Sequence, residues 1–475
     1  MRRTRAAVLT LSLAVAGCAL PACAGSGTGS PATPASSAPG GRSDAGSTGT
    51  ATAPVPLPAP GPADWPQYHR DASRSGAAPA RPAAGRLSVA WTRRLDGAVY
   101  GQPLVIGGLV IAATEADSVY VLDRATGQIR WHARLGTPVP LASLPCGNID
   151  PLGITGTPAY DPATRLVYAA AETTGFRHVL AGIAAGSGQV RFRRLIPPPD
   201  GHPRFDQQRA ALALARGRVY ATFGGLFGDC GPYRGSVVGV PASGRGPLVS
   251  YVVPTAREGG IWGTAGPVAG PRGLLYVGVG NGAATGGRFD SSDSVTGLTP
   301  GLRRAALFAP ASWPQDNASD LDLGSTSPAV TGDGTILAVG KRGIGYLLNG
   351  SRLGGVGGQR AAAAVCPAYG GMSVSGTVVY VPCLDGGVAA ADTAGGRIRV
   401  RWRGPSGAQG SPVTGGGAVW VASYAGTLYE LDPASGRVRN QVSLGAPLPH
   451  FASPSLSGGL ALIGTMHGVT AVRGA

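Results

Sequence analysis

A strand–turn–strand pattern that recurs eight times constrains the fold of this chain more than any other feature. Each copy opens with small residues or proline, enters a β-rich run, and turns on glycine before a second run. The copies begin at Gly101, Gly156, Ala210, Ala265, Ser327, Gly370, Ser411 and Ser453. Short strands in repeats of roughly 40–60 residues are typical of a β-propeller, in which each repeat forms one blade of a ring. We predict an all-β propeller of about eight four-stranded blades, with seven as the alternative because the copy at Ala210 is degenerate.

The last copy predicts how the ring closes. After Ser453 the chain has no room for an outer strand, whereas residues 87–95, with Trp91, form an extra strand-like run before the first copy. We expect this N-terminal strand to complete the last blade. Closure of the ring would remove the exposed sheet edges that favour aggregation.

The first 63 residues predict export and a tether. A basic start and a short apolar run lead to Val15-Ala16-Gly17-Cys18, which resembles the bacterial lipobox. Cys23, which follows a proline-containing motif, and simple secretion are the alternatives. We predict a signal peptide at 1–18, a disordered Ala/Gly/Ser/Thr/Pro tether at 19–63 and a propeller at 64–475. Lipidation of Cys18 would hold the protein on the extracytoplasmic face of the cell membrane.

Charge does not identify a partner. The formal net charge is +16, and Lys341 is the only lysine, so nearly all positive charge is arginine. We interpret this as a basic surface spread around the body, with attraction to anionic lipid or cell-wall polymer as the alternative. Because no RNP, zinc-finger or helix-turn-helix pattern is present, we predict no nucleic-acid binding.

Four cysteines follow the two near the N-terminus: Cys146, Cys230, Cys366 and Cys383. An even number in an exported chain predicts disulfides. Three pairings are possible. Cys366 and Cys383 flank the first strands of one blade and form the favoured pair, which leaves Cys146 with Cys230. No CxxC, CxxCH or HExxH spacing supports heme, thioredoxin-like or zincin chemistry.

A second signature follows most copies and is clearest at residues 119–131. Its Leu122-Asp123, then Ala125-Thr126-Gly127, then Trp131 resembles the repeat of the pyrroloquinoline-quinone (PQQ) propeller superfamily. The stretch DWPQYHRD at 64–71 is similar to a lead-in common in that superfamily. The resemblance extends from residue 64 to the C-terminus. It implies that the turn side chains bond backbone amides and that the aromatic residue clamps adjacent blades.

The resemblance also raises the question of catalysis. In quinoprotein dehydrogenases of this fold, PQQ lies on the propeller axis with Ca²⁺, an aspartate base and a pair of adjacent cysteines. Residues 280–325 look like a segment of such an enzyme, and their carboxylates are ligands that calcium prefers. We name Asp316, Asp320 and Asp322 as the candidate metal ligands. The alternative is that these aspartates bond backbone groups or face water, and no two cysteines are adjacent.

These patterns favour a membrane-tethered, non-catalytic binding or scaffold protein without a cofactor. Its expected partner is an envelope or cell-surface protein. The expected contact surface comes from the longest insertions, residues 135–153, 197–208 and 282–322. The candidate partner-binding residues in or beside the last of these are Trp262, Arg288, Phe289 and Trp313. The alternative is a PQQ- and calcium-dependent quinoprotein dehydrogenase of alcohols or sugars. No GxSxG motif supports a hydrolase, and the oligomeric state leaves no signature.

Overall fold

The computed structural model describes residues 61–79 and 85–474. The predicted signal peptide, Cys18, Cys23 and nearly all of the predicted tether lie outside the described residues. Within these described ranges, no helix is both long and apolar enough to cross a membrane.

Eight antiparallel sheets, numbered as blades in chain order, make up the fold, which confirms the predicted count. Blade 1 contains the strands Leu104–Ile106, Leu109–Thr114, Ser118–Asp123 and Ile129–Arg134. Blade 2 contains Ala159–Asp161, Leu166–Thr173, Arg177–Ala184 and Val190–Leu195. Blade 3 contains Asp206–Gln207 and Ala213–Ala215, which both pair with Arg218–Gly225, then Ser236–Pro241 and Val249–Val252. Blade 4 contains Val268–Ala269, Leu275–Val279, Ser294–Leu298, Arg304–Ala309 and, as a parallel fifth strand, Gly355–Val356.

The second half repeats the same plan. Blade 5 contains Ala329–Val330, Thr335–Val339, Ile344–Asn349 and Ala361–Ala364. Blade 6 contains Ser373–Ser375, Val378–Pro382, Val388–Asp392 and Arg399–Arg403. Blade 7 contains Val413–Gly415, Ala418–Ala422, Thr427–Leu431 and Val438–Ser443. Blade 8 contains Ser455–Ser457, Leu460–Thr465, Gly468–Arg473 and the N-terminal strand Ser88–Arg94. The described helices are the α-helix Trp313–Ala318 and the 3₁₀ turns Leu141–Ser143, Pro271–Gly273, Leu323–Ser325 and Ala394–Gly396.

The N-terminal strand closes the ring as predicted. Ser88–Arg94 pairs antiparallel with Gly468–Arg473, the last strand of the chain. The first strands of adjacent blades contact one another, so they are the innermost strands around the central channel. Apolar side chains from facing blades fill the space between the sheets, and this interblade packing forms the core.

Tryptophans on the outermost strands clamp three of the blades to the next one, as the resemblance implied. The indole Nε1 of Trp131 in blade 1 donates to the carbonyl of Ala185 in blade 2 at 2.9 Å. Trp402 in blade 6 donates in the same way to Pro433 in blade 7 at 2.8 Å. Trp91, on the N-terminal strand, clamps blade 8 to blade 1 and thereby secures the closure.

A segment that we name the plug, residues 64–78, runs through the central channel. The innermost strands would otherwise leave backbone groups unpaired along the channel. The plug bonds to the innermost strands of seven blades, at Val105, Tyr160, Leu214, Ala269, Val374, Thr414 and Leu456. The lead-in recognised in the sequence therefore occupies the axis of the propeller.

Two disulfides connect the four predicted cysteines. Cys146, in the long loop after blade 1, is bonded to Cys230, in a loop of blade 3. Cys366 is bonded to Cys383 across the first two strands of blade 6. The favoured pairing is confirmed.

Candidate functional site

The three predicted metal ligands lie in one segment, but basic side chains neutralise them. Asp320 and Asp322 lie 2.7 and 2.8 Å from the Nζ of Lys341. Asp316, on the short helix, forms an ion pair with Arg342. Among the described residues, no group of three or more acidic, histidine or cysteine side chains is arranged to hold a metal ion. Calcium takes six to eight oxygen ligands, so this set of paired carboxylates does not fit it.

Because the carboxylate of Asp322 is buried, the ammonium of Lys341 is required to balance its charge. Its side chain is 0 % exposed, whereas that of Lys341 is 21 % exposed. Burial raises the pKa of Asp322, and the Lys341 ammonium opposes that increase. The pair is therefore a buried charge with its counterion, not an open ligand set.

The rest of the insertion is bonded internally. Asn317 accepts the N–H of Gly282 at 3.0 Å and donates to the carbonyl of Ala284 at 2.6 Å. Asp293 accepts the N–H of Leu323 at 2.5 Å. These bonds match the alternative reading, in which acidic and amide side chains satisfy backbone groups.

The structure separates the four predicted partner-binding residues. Trp313 is only 6 % exposed and packs on Phe289 at a ring distance of 5.1 Å, which matches the alternative that core packing explains this tryptophan. Arg288 is exposed and Phe289 is half-buried, and their role in partner binding stays a prediction. Trp262 lies elsewhere, at the channel.

A cavity of about 180 Å³, which we name the axial pocket, opens at one mouth of the central channel. Its walls come from the residues that precede or begin the innermost strands of several blades. Six of them are Tyr100, Thr157, Arg209, Trp262, Tyr369 and Phe451. Because these positions recur at the start of each blade, ring closure brings together residues that are far apart in the sequence.

Arg209 dominates the chemistry of the axial pocket. Its guanidinium lies 5.7 Å from the ring centre of Trp262 and 5.5 Å from that of Phe451, within the range of cation–π attraction. It forms no salt bridge with any residue in 61–79 or 85–474, and its Nε is buried without a hydrogen-bond partner there. His450, also on the wall, has its pKa lowered by burial and by the Arg209 charge. At neutral pH, Arg209 is therefore the one charged side chain among the described residues of the wall.

The plug fills the central channel next to residues that follow the walls of the axial pocket. Tyr68 packs with Ala211 and Ala265, which follow the wall residues of blades 3 and 4. His69 stacks on Tyr68 at 4.1 Å, and its Nε2 lies 3.0 Å from Ser453 Oγ, beside the wall residue Phe451. Burial lowers the pKa of His69 to about 3, so it adds no charge. The plug therefore occupies the axis of the channel beside the pocket.

A shallower depression adjoins the axial pocket and reaches the insertion. It shares Arg209 and Trp262 with the pocket and continues to Asp320 and Lys341. Sequence reasoning had named Trp262 but missed Arg209. The one available signal was the position of Arg209 just before an innermost strand, a position that other blades also use for wall residues.

Comparison with known proteins agrees with this architecture. A family model described as "Outer membrane protein assembly factor BamB" matches residues 84–225 and 332–475. The unmatched middle contains blade 4 and the long insertion. No curated protein matches the chain in sequence.

Several solved structures share the fold. The quinohemoprotein alcohol dehydrogenase from Comamonas testosteroni is 15% identical with a TM-score of 0.64, over 86% of this chain and 80% of that one. A europium-containing methanol dehydrogenase is 14% identical with a TM-score of 0.66, over 87% and 98%. BamB from Moraxella catarrhalis is 15% identical with a TM-score of 0.58, over 81% and 99%. At these identities the likeness is one of fold. Since the family model covers more than half of the chain, the protein belongs to the PQQ-like β-propeller family described by that BamB model.

Proposed function

We propose that this protein is a non-catalytic binding protein of the cell envelope, tethered to the extracytoplasmic face of the membrane. The proposal rests on a difference between two sets of charged side chains: the predicted metal-ligand aspartates have basic partners, whereas Arg209 in the axial pocket has no acidic partner among the described residues. The three aspartates predicted as metal ligands are engaged by Lys341 and Arg342. Arg209, by contrast, stands among aromatic walls without an acidic partner in the described chain.

The face that carries the axial pocket suits a protein partner. Loops from several blades converge there, and irregular loops on a rigid scaffold commonly supply binding surfaces. Phe227, on the wall of the pocket, is 58 % exposed and offers an apolar contact on this face. BamB, named as an outer membrane protein assembly factor, shares the fold and is a precedent for a partner in the envelope.

The second candidate is a PQQ- and calcium-dependent dehydrogenase of alcohols or sugars. One observation favours it: an aromatic pocket on the axis with a free arginine suits a planar anion. Two observations disfavour it. The aspartates do not fit calcium, and the cysteines form two separate disulfides, neither of them between adjacent residues.

Thermal denaturation separates the two candidates. The melting temperature of the protein is measured with and without PQQ plus Ca²⁺, together with dye-linked oxidation of alcohols and sugars. A ligand at 100 times its Kd adds about 2.7 kcal/mol of stability. We expect no shift and no oxidation, whereas a shift accompanied by oxidation would establish the dehydrogenase.

Site-specific photo-crosslinking in cells tests for a partner. A photoreactive residue at Phe227 samples the face of the axial pocket. The matched control is Val438, which is 41 % exposed and begins the fourth strand of blade 7. Because successive strands alternate in direction, Val438 lies on the opposite face. We expect one envelope protein to be captured from Phe227 and not from Val438; equal or absent capture at both would contradict the proposal.

Membrane attachment has its own test. In cells, the wild-type protein should sediment with membranes, and Cys18→Ala should release it because the lipid would be lost. Cys23→Ala is the matched control and should stay attached. Retention of Cys18→Ala on the membrane would refute the predicted anchor.

A further inference from the structure

The unpaired charge of Arg209 indicates the chemistry of a ligand. Its guanidinium is partly buried between Trp262 and Phe451, and Nε makes no hydrogen bond to any described residue. A buried donor without an acceptor costs free energy. An arginine offers several donors in a planar fork, which matches the two oxygens of a carboxylate. The site is therefore complementary to an anion that supplies such a pair of oxygens.

The walls indicate what the anion is attached to. Tyr369 and Phe451 meet edge to face at a ring distance of 4.4 Å beside the guanidinium. Tyr100 and Trp262 add further apolar surface to the wall. No acidic side chain is among the described residues of the wall, so a carboxylate meets no like charge there. An apolar group joined to a carboxylate satisfies both parts of the pocket.

The position of the plug favours binding of the end of a polypeptide over binding of an internal segment. Tyr68 and His69 fill the channel where they contact blades 3, 4 and 8, so a bound chain has no free path along the axis there. A polypeptide that enters from the open face must stop or turn back within a cavity of about 180 Å³. A chain end meets this condition without a turn, and it carries a carboxylate beside its last side chain.

We propose that the axial pocket binds the C-terminal carboxylate of a partner protein, with Arg209 on the carboxylate and the last, apolar side chain on the aromatic walls. The inference rests on the proposed function, because it names the chemistry by which the partner is recognised. Its site is defined by Arg209 and the two rings beside it.

Isothermal titration calorimetry with defined peptides tests the proposal. The probes are N-acetyl tripeptides Gly-Gly-X, where X is Phe, Leu, Tyr or Ala, each with a free C-terminal carboxylate or a C-terminal amide. A further probe carries an internal glutamate and an amide end. We expect the free acids with large apolar ends to bind, and the amides to bind about tenfold to hundredfold more weakly, since a hydrogen bond to a charged group is lost.

Variants locate the binding. Arg209→Gln should weaken the free acids by the same factor and leave the amides unchanged. Arg209→Lys keeps the charge but not the planar fork, so binding should fall to an intermediate value. Arg245→Gln, an exposed arginine of the same blade on a turn of the opposite face, is the control and should bind as the wild type. The comparison of acid with amide on the wild-type protein holds even if a variant fails to fold.

The outcomes separate this inference from the proposed function. Equal binding of acids and amides, no binding of any peptide, or binding of the internal glutamate alone would overturn the chain-end proposal. If Phe227 still captures an envelope protein in that case, the binding function stands and only the recognition chemistry is wrong. Binding of PQQ with calcium-dependent oxidation would overturn both.

Discussion

The indole of Trp91 lies directly over Gly127, so that a Cβ on this glycine would come within 2.5 Å of the ring carbon Cε3. Nε1 of the same indole donates to the Arg124 carbonyl at 2.9 Å. The contact joins the N-terminal strand of blade 8 to the turn of blade 1. It is the point at which the ring is clamped shut.

Gly127→Ala should therefore destabilise the propeller. The glycine has φ +68°, which disfavours a side chain, and the added methyl group would also displace the indole. The expected loss is about 2–4 kcal/mol of unfolding free energy from backbone strain plus overpacking. Urea denaturation measures it. The matched control is Gly417→Ala, with φ +69° and open space around it, which should lose only about 1–2 kcal/mol. Equal losses would show that the contact with Trp91 is unimportant.

Lys341→Met should lower the free energy of unfolding, because the buried carboxylate of Asp322 would lose its counterion. Asp322 would keep its burial but lose the ammonium at 2.8 Å. Removal of one partner from a buried pair typically costs about 3–5 kcal/mol. The penalty should be larger at pH 8 than at pH 5, because protonation at low pH removes the unpaired charge. The double variant with Asp322→Asn should recover much of the stability.

An exposed ion pair is the control for this experiment. Arg401, whose side chain is 48 % exposed, pairs with Asp392 at 2.7 Å. Arg401→Met should cost no more than about 1 kcal/mol. A similar cost for both variants, measured in the same urea titration, would mean that burial of Asp322 is not what makes Lys341 important.

Buried acids make stability depend on pH. Burial raises the pKa of Glu115 to about 8 and that of Asp117 to about 7. In the unfolded chain these groups release their protons near pH 4. Between those values the folded state binds more protons than the unfolded state, so stability falls as the pH rises. The melting temperature should therefore decrease between pH 5 and pH 8.

Substitutions show which acidic group causes the decrease of the melting temperature with pH. Glu115→Gln should flatten the decrease, because the amide cannot ionise. Asp432→Asn is the control: hydrogen bonds from Arg439 lower the pKa of Asp432 to about 2, so its contribution changes only below about pH 4. The melting temperature of this variant should decrease between pH 5 and pH 8 as steeply as that of the wild type. An unchanged slope in Glu115→Gln would refute the assignment.

The two disulfides should contribute different amounts to the free energy of unfolding. Cys146 and Cys230 are 84 residues apart, and Cys366 and Cys383 are 17 apart. By loop-closure entropy, paired serine substitutions should cost about 4.5 kcal/mol for the longer loop and about 3 kcal/mol for the shorter. Denaturation of the two double variants measures the difference. The reverse order would show that local contacts, and not chain entropy, determine the effect.

The sequence predicted the ring better than the site, for physical reasons. Strand and turn signals are local, so the eight repeats and the clamp of Trp131 could be predicted from short stretches. The pairing of Lys341 with Asp322 joins residues in different elements, and the resemblance to a dehydrogenase segment suggested a metal instead. Lys341 is the only lysine of the chain, and that was a signal for a special role. Arg209 was missed because arginine is common here and its aromatic neighbours come from two other blades.

The plug was also recognised only as a motif. Its residues show no strand periodicity, since the segment bonds in turn to seven blades and pairs along no single strand. The channel that receives it exists only after the ring has formed.

The placement of the N-terminal residues has a consequence for biosynthesis. The plug and the strand Ser88–Arg94 are made first, yet the partner of that strand, Gly468–Arg473, is made last. The strand Ser88–Arg94 must therefore remain without its sheet partner until almost the whole chain has emerged. Contacts of such large sequence separation form slowly, and unpaired strands are open to misassociation meanwhile. The protein should depend on a holding chaperone during that interval, and loss of the last blade should release the first residues as well as the last.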